Sequence, residues 1–509
     1  MLKKKTFIFT GLTLCVAGWT QAQNKAPNIL FIMADDHTSQ AISAYGGFLG
    51  RFLPTPHIDR IGNEGVRMNN CFVTNSISTP SRACIITGQY SQKNGVYTLN
   101  DELNRDHPTV AKILQQAGYQ TAIIGKWHLG TEPAGFDYYN ILPGQGRYYN
   151  PQLIKKGDWN RDLNGRPLLT EYGGHSTDVI ANDAVSYMQS TDRDRPFFLM
   201  CHFKAPHRSW EPADRFKDLL VDVEIPEPSN LLDTYEGKGQ YTKHLSMSME
   251  NLNKTDLKGK TIPEDMTRDE KRHWAYQRYI KDYLRCIAGI DDNVGRILKY
   301  LDDNGLTENT IVIYTGDQGF FLGEHGWFDK RLMYEECLRM PLLIRYPKEI
   351  KPETVNSDIV LNLDFAPLFL DYAGISTPSH MQGESFRNNL TGQTPSDWRK
   401  SMYYRYWMND DGAHRVPAHY GIRTDRYKLV YYYSRSLEMK GANQGYDLEP
   451  EWEFYDLQND PAEMHNIYKD PANKKLIAQL KKELLQLKEK YEDQDGKYLE
   501  MVTLNKKYW

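Results

Sequence analysis

The chain has 509 residues with 62 Lys and Arg against 66 Asp and Glu, so its formal charge is -4 at pH 7. That length exceeds the roughly 250 to 300 residues of one compact core, so we expect two domains or one enlarged domain with a satellite. The mild acidity argues against a bulk basic face for nucleic acid. Five of the six cysteines follow residue 22, an odd number without C-x-x-C spacing, which argues against a disulfide scaffold or a zinc knuckle.

The first 22 residues have the pattern of a signal peptide. Three lysines precede an apolar run over 6–18, and Ala22 supplies a small residue at the cleavage position. The run is too short for a membrane-spanning helix, and no second candidate follows it. Leu14 stands before Cys15 where a lipoprotein signal needs a small side chain, so the pattern favours soluble export to the periplasm or the exterior over a lipid anchor at Cys15. Without the three lysines the exported chain has 59 Lys and Arg against 66 Asp and Glu, a charge of -7.

Beyond the signal peptide, strand-like and helix-like segments alternate. The run from Asn28 to Ala34 is continuously apolar, which is typical of a strand buried on both faces of a parallel sheet. Three further strands are predicted at 120–125, 196–203 and 310–315, and each follows a segment with helical spacing, at 109–118, 178–190 and 268–304. This alternation predicts an α/β fold with a doubly wound, mainly parallel sheet.

Each of these four strands is followed at once by polar side chains. In chain order these are Asp35 and Asp36, Lys126 and His128, Lys204 and His207, and Asp317 and Gln318. The carboxyl ends of parallel strands meet at the edge where open α/β sheets bind ligands. One Asp pair or one Lys-x-His would be a turn, a helix cap or a solvated loop more often than a site, but four such sets indicate a single shared site.

The segment from Ser78 to Gly88, S-T-P-S-R-A-C-I-I-T-G, reads as a turn that enters a helix, with Pro80 near its start and a glycine at its end. It resembles the signature of the sulfatase family, which is Cys or Ser, any residue, Pro, Ser, Arg, a short spacer and Thr-Gly. The resemblance implies an alkaline-phosphatase-like fold. It also implies that a formylglycine-generating maturation enzyme oxidises Ser78 to formylglycine, which makes Ser78 the catalytic position.

The carboxylates that follow the strands form a candidate metal site. Asp35, Asp36 and Asp317, with the amide oxygen of Gln318, are an all-oxygen set that suits calcium, or magnesium, rather than zinc. The family pattern has the same paired Asp and the same later Asp, and the resemblance implies that the side chain at Ser78 completes the set. Gln318 departs from the pattern, because Asn or His is usual there.

The remaining catalytic candidates are cations and proton carriers. Lys126 and Lys330 suit sulfate oxygens and the charge that develops during transfer, and His128 and His207 can move protons near neutral pH. The family pattern contains Gly-Lys-x-His, an Ala-Pro-His loop and a later active-site Lys at these positions. The resemblance implies that His207 protonates the departing sugar oxygen, that His128 helps to expel sulfate, and that Arg82 lies beside the nucleophile.

From about residue 381 the pattern changes to aromatic, alternating stretches. These predict a small antiparallel sheet, followed by a helix over 473–492 that carries leucines at helical spacing. We therefore expect a catalytic domain over 23–385 and a C-terminal subdomain over 386–509. In the sulfatase family the loops of this subdomain border the substrate pocket. The resemblance therefore implies sugar contacts for four of its residues, in addition to Lys204: Trp407, His414, His419 and Arg423.

Phrases at 203–207, 319–347 and 416–424 are similar to the N-acetylglucosamine-6-sulfatase branch and its bacterial glycosaminoglycan-degrading relatives. The resemblance implies exo-acting hydrolysis of the 6-O-sulfate of N-acetylglucosamine from heparan sulfate or heparin. N-acetylgalactosamine-6-sulfate and uronic acid 2-sulfate are alternative substrates. Two other classes remain open: a phosphatase or phosphodiesterase that uses unmodified Ser78 between two metals, and a non-catalytic sulfated-sugar binder. The phosphatase needs a second set of Asp and His ligands, and Lys126 and Lys330 occupy those positions instead.

Overall fold

The computed structural model describes residues 26–162, 164–445 and 448–509. The predicted signal peptide and Cys15 lie outside the described residues. Among the helices of the described ranges, none combines the length and the apolar composition that a membrane crossing needs.

Strands fall into three sheets in the described part of the chain. They are β1 Asn28–Ala34, β2 Val66–Phe72, β3 Gln120–Lys126, β4 Tyr138–Leu142, β5 Gln152–Lys155, β6 Thr170–Glu171, β7 Phe197–Phe203, β8 Thr310–Gly316, β9 Phe321–Leu322, β10 Phe328–Asp329, β11 Arg339–Arg345, β12 Thr354–Asn356, β13 Val360–Leu361, β14 Ser401–Tyr406, β15 His419–Thr424, β16 Tyr427–Tyr432 and β17 Glu451–Asp456. Each predicted strand of the α/β part is present, with ends within two residues of the prediction.

The large sheet is mainly parallel at its centre. Its order is β12-β2-β11-β8-β1-β7-β3-β4-β5-β6, and β13 also pairs with β2. Strand β1 lies between β7 and β8, and these strands run parallel with β3 and β4. Strand β11 is antiparallel to both β2 and β8. The predicted doubly wound, mainly parallel sheet is therefore confirmed, and the sequence prediction missed its antiparallel strands.

Helices cover both faces of this sheet. The α-helices of the described residues are α1 Pro56–Asn63, α2 Ser78–Thr87, α3 Ser91–Asn94, α4 Val110–Gln116, α5 Ser176–Ser190, α6 Arg268–Asp303, α7 Glu335–Leu338, α8 Phe365–Tyr372, α9 Arg387–Leu390, α10 Lys474–Lys490 and α11 Leu499–Tyr508. Successive side chains of β1 enter different cores, because side chains alternate along a strand. Leu30 and Ile32 pack with residues of α5 and α6, whereas Ile29 and Phe31 pack with residues of α2, α4 and α8.

The C-terminal part is a four-stranded antiparallel sheet, in the order β14-β15-β16-β17. Helix α10 packs on it, with Ile477, Leu480 and Leu484 buried at helical spacing. This confirms the predicted small antiparallel sheet with a helix. The proposed division at residue 385 stays a prediction.

Candidate functional site

Ser78 is the first residue of α2 and lies beside the carboxyl end of β1. Its Oγ donates a hydrogen bond of 3.2 Å to Oδ1 of Asp35, the residue directly after β1. Helix α2 is buried along its whole length and ends at Gly88, whose φ of 65° is the left-handed conformation that glycine readily adopts at a helix C-terminus. Ser78 is 2% exposed. The neighbouring side chains, rather than bulk solvent, therefore determine its chemistry.

The three aspartates of the candidate metal site come together. Carboxylate oxygens of Asp35, Asp36 and Asp317 lie within 4.8 Å of one another, and all three residues are buried. The backbone N–H of Asp36 donates to Oδ1 of Asp317 at 3.0 Å, which joins the end of β1 to the end of β8. The Nε2 of Gln318 donates to Asp36 and, at 2.6 Å, to Oδ1 of Asp317.

This donor set fits a hard cation. Oδ2 of Asp36 and Oε1 of Gln318 are buried and have no hydrogen-bond partner within the described residues. Buried polar atoms rarely lack a partner unless an ion or water supplies one. A half-turn of the Gln318 amide would exchange Nε2 for Oε1 and direct a fourth oxygen donor at the carboxylates. Four oxygen donors of this kind are the ligands that calcium prefers.

The electrostatics of the aspartates also suit a bound cation. Burial, opposed by Lys330 and reinforced by Asp35 and Asp317, raises the pKa of Asp36 to about 7. Burial also disfavours the Asp35 carboxylate, but Lys126 and other nearby cations outweigh that effect and hold its pKa well below the ordinary value. The surrounding cations therefore favour the ionised form of Asp35 more than that of Asp36, and a divalent cation would favour the ionised form of Asp36 as well.

Arg82 and Lys126 are fixed around the same carboxylates. Nη2 of Arg82 is 3.5 Å from Oδ1 of Asp35 and 3.0 Å from Oδ2 of Asp317, and its Nη1 donates to the carbonyl of Lys126 at 2.6 Å. The ammonium of Lys126 pairs with Asp35 and donates a 2.7 Å hydrogen bond to Oε1 of Gln145. Both cations are therefore held in defined orientations close to the aspartates that surround Ser78.

The two predicted proton carriers also lie in this site. Nε2 of His207 is 3.8 Å from Oδ2 of Asp36, and its Nδ1 is 2.6 Å from the carbonyl of Arg208. A carbonyl only accepts, so Nδ1 carries the hydrogen and Nε2 faces the carboxylates. Nδ1 of His128 is 3.4 Å from Oγ1 of Thr79, the residue after Ser78. Burial, followed by the charge of Lys126, lowers the pKa of both histidines well below 6.5, so both rings are neutral at pH 7.

Lys330 and His414 reach the site from a more C-terminal part of the chain. The ammonium of Lys330 pairs with Asp36. The neighbouring Asp329 places its Oδ2 3.3 Å from Nε2 of His414, whose Nδ1 is 2.7 Å from Asp411. The structure therefore brings His414, one of the predicted sugar contacts, against the segment that carries Lys330.

A cavity of about 630 Å³ opens beside His207, within the size range of small-molecule sites. Lys204, another predicted sugar contact, lines this cavity together with His207. Its Nζ lies 4.7 Å from the centre of the Tyr148 ring. The cavity therefore gives a sugar access to the proposed acid, with Lys204 in its wall.

The structure places the other three predicted sugar contacts elsewhere. Trp407 is buried against Arg405 and Tyr97. His419 is fully buried among tyrosines of the C-terminal sheet. Arg423 pairs with Glu335 at 3.1 Å and lines a different cavity. Their side chains take part in packing and ion pairs of the C-terminal sheet, away from the cavity beside His207, and sugar contact by these three residues stays a prediction.

Sequence reasoning missed several residues that complete the site. Gln145 holds Lys126, and Asp329 and Asp411 hold His414. Arg331 adds an ion pair of 3.2 Å to Asp411. Asp329 and Arg331 could have been found from the sequence, because they flank Lys330. No sequence pattern points to Gln145 or Asp411, because each lies in a loop whose position depends on the fold.

Two family models match this chain. The model described as sulfatase matches residues 27–375, and the model described as N-sulphoglucosamine sulphohydrolase, C-terminal, matches residues 323–490. The first covers more than half of the chain, including the aspartates, Ser78 and Lys330.

Characterised relatives agree with these matches. The chain is 43% identical to the N-acetylglucosamine-6-O-sulfatase of Bacteroides thetaiotaomicron, in an alignment that covers 94% of this chain and 89% of the relative. It is 27% identical to the human N-acetylglucosamine-6-sulfatase, covering 76% of this chain and 68% of that one. A structure solved in complex with its substrate, D-glucosamine-2-N,6-O-disulfate, superposes with a TM-score of 0.84 at 42% identity, covering 92% of this chain and 99% of that one.

Proposed function

This chain belongs to the sulfatase family of sulfuric ester hydrolases, and we propose that it removes the 6-O-sulfate of N-acetylglucosamine at the ends of heparan sulfate or heparin chains. One observation carries the proposal. The buried site holds Ser78, three carboxylates, two lysines and two histidines, in a chain that is similar over nearly its whole length to an N-acetylglucosamine-6-O-sulfatase. We further propose that the protein is exported, on the basis of the signal-peptide pattern of residues 1–22.

Two groups that the family uses fit this site. Asp35, Asp36, Asp317 and Gln318, with the side chain at position 78, would hold calcium or, alternatively, magnesium, which would neutralise a sulfate oxygen and orient the nucleophile. A maturation enzyme would oxidise Ser78 to formylglycine, and the hydrated aldehyde would supply that nucleophile. The hydrogen bond of 3.2 Å from Oγ of Ser78 to Asp35 supports a place for the side chain at position 78 among these ligands.

The side chains around position 78 then have separate roles. Lys126 and Lys330 lie beside Asp35 and Asp36, where they would bind sulfate oxygens and stabilise the charge of transfer. His207 lines the open cavity and its Nε2, which faces the carboxylates, is unprotonated in the neutral ring; Nε2 would therefore first take up a proton and then donate it to the departing sugar oxygen.

His128 would act in the second half of the reaction. Its Nδ1 lies against Thr79, the neighbour of residue 78. From there it would take a proton from the side chain at position 78 and allow sulfate to leave. Arg82 contacts both Asp35 and Asp317 and would keep these carboxylates in place throughout. Acid and base are different residues in this scheme.

The same arrangement argues against the phosphatase alternative. A two-metal phosphatase needs a second cluster of Asp and His ligands about 4 Å from the first. Within the described residues, one cluster of three potential acidic, His or Cys ligands occurs, and Lys126 and Lys330 pair directly with two of its members. A lysine ammonium in that position suits an anion better than a second cation.

The test is an assay of mature protein on matched substrates. The chain is co-expressed with a formylglycine-generating enzyme, and the intact mass of the peptide around Ser78 shows whether two hydrogens have been lost. Sulfate release is then measured from the 6-sulfates of N-acetylglucosamine and N-acetylgalactosamine, from uronic acid 2-sulfate and from intact heparin. We expect preference for the glucosamine ester and for chain ends. Preference for the galactosamine ester or for internal sites would contradict the proposed substrate, and absence of hydrolysis by oxidised protein would favour the sulfated-sugar binder.

A further inference from the structure

Lys204 is a buried lysine that has no hydrogen-bonded or ion-paired anionic partner among the described residues. It is 4% exposed and lines the cavity beside His207. Lys126 and Lys330 each pair with an aspartate, but the ammonium of Lys204 makes no hydrogen bond or ion pair with any residue in 26–162, 164–445 or 448–509. Its Nζ lies over the face of the Tyr148 ring, 4.7 Å from the ring centre. An ammonium removed from water without a counter-charge is costly, so a buried lysine of this kind is suited to an anion that arrives with a ligand.

The protonation state of Lys204 is compatible with that role. Burial, followed by the charge of Lys126, lowers the pKa of Lys204 to about 8, while the charges of Asp35 and Glu211 oppose the shift. The amine is therefore mostly charged at pH 7. An incoming anion would raise this pKa and stabilise the charged form further.

Arg147 supplies a second cation in the same wall. It belongs to the loop P-G-Q-G-R at 143–147, in which Gly144 and Gly146 have φ values of 52° and 68°, a conformation that glycine adopts readily. Gln145, between the two glycines, accepts the hydrogen bond from Lys126, so the loop is anchored to the catalytic lysine. Arg147 lines the cavity, is exposed, and has no polar side-chain partner in the part of the chain that the structure describes.

The other charged side chains of the cavity, Arg208, Asp256 and Glu211, have hydrogen-bond partners among its lining residues. Arg208 forms two hydrogen bonds to Asp256, of 2.7 and 2.6 Å, so these two charges neutralise each other. Glu211 accepts a hydrogen bond of 3.1 Å from Oγ of Ser209. Lys204 and Arg147 are thus the cations of this cavity that remain available to a ligand.

We propose that Lys204 and Arg147 form an anion subsite that binds a second negatively charged substituent of the substrate, next to the sulfate ester that reacts. This inference rests on the proposed function, because it assigns a further contact to the same sugar. The anion is a sulfamate on C2 of the same sugar or the carboxylate of a neighbouring uronic acid. The sulfamate and the carboxylate both offer oxygen acceptors to a lysine and an arginine. The experiment must therefore distinguish these two anions.

The experiment compares two pairs of substrates that differ in one charge. The first pair is glucosamine 6-sulfate with an N-sulfo group and the same sugar with an N-acetyl group. The second pair is a disaccharide that joins the 6-sulfated glucosamine to a uronic acid, and its methyl ester. The variants are Lys204→Met and Arg147→Gln, with Arg51→Gln as the control, because Arg51 is exposed, unpaired within the described residues and outside the described cavities. Methionine matches the length of lysine and removes a costly buried charge, so Lys204→Met should fold, which a melting curve checks.

The measured quantity is the ratio of kcat/KM for the charged over the uncharged member of each pair. We expect Lys204→Met to lower this ratio by about ten-fold or more, mainly through KM, and Arg147→Gln to lower it less because the arginine is exposed. A fall in the first pair identifies the sulfamate, and a fall in the second identifies the uronate. Equal ratios in the variants and in Arg51→Gln for both pairs would overturn the subsite. If wild-type protein with oxidised Ser78 cleaved none of these substrates, the proposed function would fail instead, and the subsite with it.

Discussion

At the scale of single residues, the site contains several strained backbone conformations. Asp36, His128, Asp329 and Arg331 all have φ between 56° and 91°, the left-handed region that side chains with a Cβ rarely adopt. Each costs on the order of 1 kcal/mol or more. Two of them lie two residues after the ends of β1 and β3, and the other two flank Lys330, so the surrounding hydrogen bonds hold side chains of the candidate site in directions that an unstrained chain would not give them.

The first prediction concerns His207. Replacing it by alanine removes the proposed proton donor to the leaving oxygen. In the structure, Nε2 of His207 lies 3.8 Å from Oδ2 of Asp36. General acid catalysis contributes about 100-fold or more when the leaving group is a poor one. We therefore expect His207→Ala to slow hydrolysis of the sugar sulfate by about 100-fold, but that of an activated aryl sulfate by less than about ten-fold. An equal loss on both substrates would contradict the role of acid.

The second prediction concerns the metal. Because the donors are all oxygens and three of them are carboxylates, we expect one calcium per chain and loss of activity on exhaustive chelation. Replacing Gln318 by leucine removes one donor and should weaken calcium binding about ten-fold, measured by calorimetry. Stoichiometric zinc in active protein, or full activity after chelation, would refute the assignment. If magnesium were found at this site, the predicted ligands would be correct and the predicted ion, calcium, would be wrong.

At the scale of secondary-structure elements, an ion cluster fastens the end of α10 to β14. Asp493 follows α10 and pairs with Arg405 of β14 at 2.7 Å and with Lys488 at 3.0 Å, and the hydroxyl of Tyr403 donates to it. Burial disfavours the Asp493 carboxylate, but Arg405 and Lys488 outweigh that effect and hold its pKa well below the ordinary value. The helix is therefore attached to the sheet by charge as well as by its apolar side.

The third prediction follows from this cluster. Asp493→Asn leaves Arg405 and Lys488 buried with less compensating charge, since Asp495 remains as a partner of both. We expect a loss of about 3 kcal/mol in the free energy of unfolding at pH 7, measured by urea denaturation. A carboxylate with a depressed pKa stabilises the fold above its unfolded pKa of about 3.9, and this contribution is lost as the pH falls further. The difference between wild type and variant should therefore shrink below about pH 4; a difference independent of pH would show that charge is not its cause.

At the scale of the whole molecule, one apolar core joins the two sheets. Phe31 and Ile313 of the large sheet belong to the same buried cluster as Tyr403 and Phe454 of the C-terminal sheet. The sulfatase match to residues 27–375 and the C-terminal match to 323–490 also overlap over the segment with Lys330. Separation of the two parts would expose this shared core to water.

The fourth prediction is that both parts unfold together. We expect one calorimetric transition, with equal calorimetric and van't Hoff enthalpies, and we expect a fragment that ends at residue 385 to be insoluble or unfolded. Chelated protein serves as the control, since metal loss should lower the melting temperature without splitting the transition. Two resolved transitions, or a folded fragment, would show that 23–385 is an independent domain.

The sequence alone predicted the parallel centre of the large sheet and most of the residues that meet in the candidate site. Asp35, Lys126, His207 and Asp317 each follow an apolar strand, and parallel strands end at a common edge, so local patterns plus one topological rule bring these side chains together. Ser78 was identified by its motif, and Lys330 by the resemblance, because no strand pattern points to it.

Only the tertiary structure decided which other side chains face the cavity. An alternating aromatic pattern predicts a strand but does not say what covers each face, and Trp407 and His419 prove to be buried in packing. The positions of Gln145 and Arg147 depend on a glycine turn and on a hydrogen bond to Lys126, and that of His414 on its contact with Asp329. Strand position follows from nearby residues, whereas the direction of a loop side chain depends on contacts with residues far away in the chain, which no local pattern records.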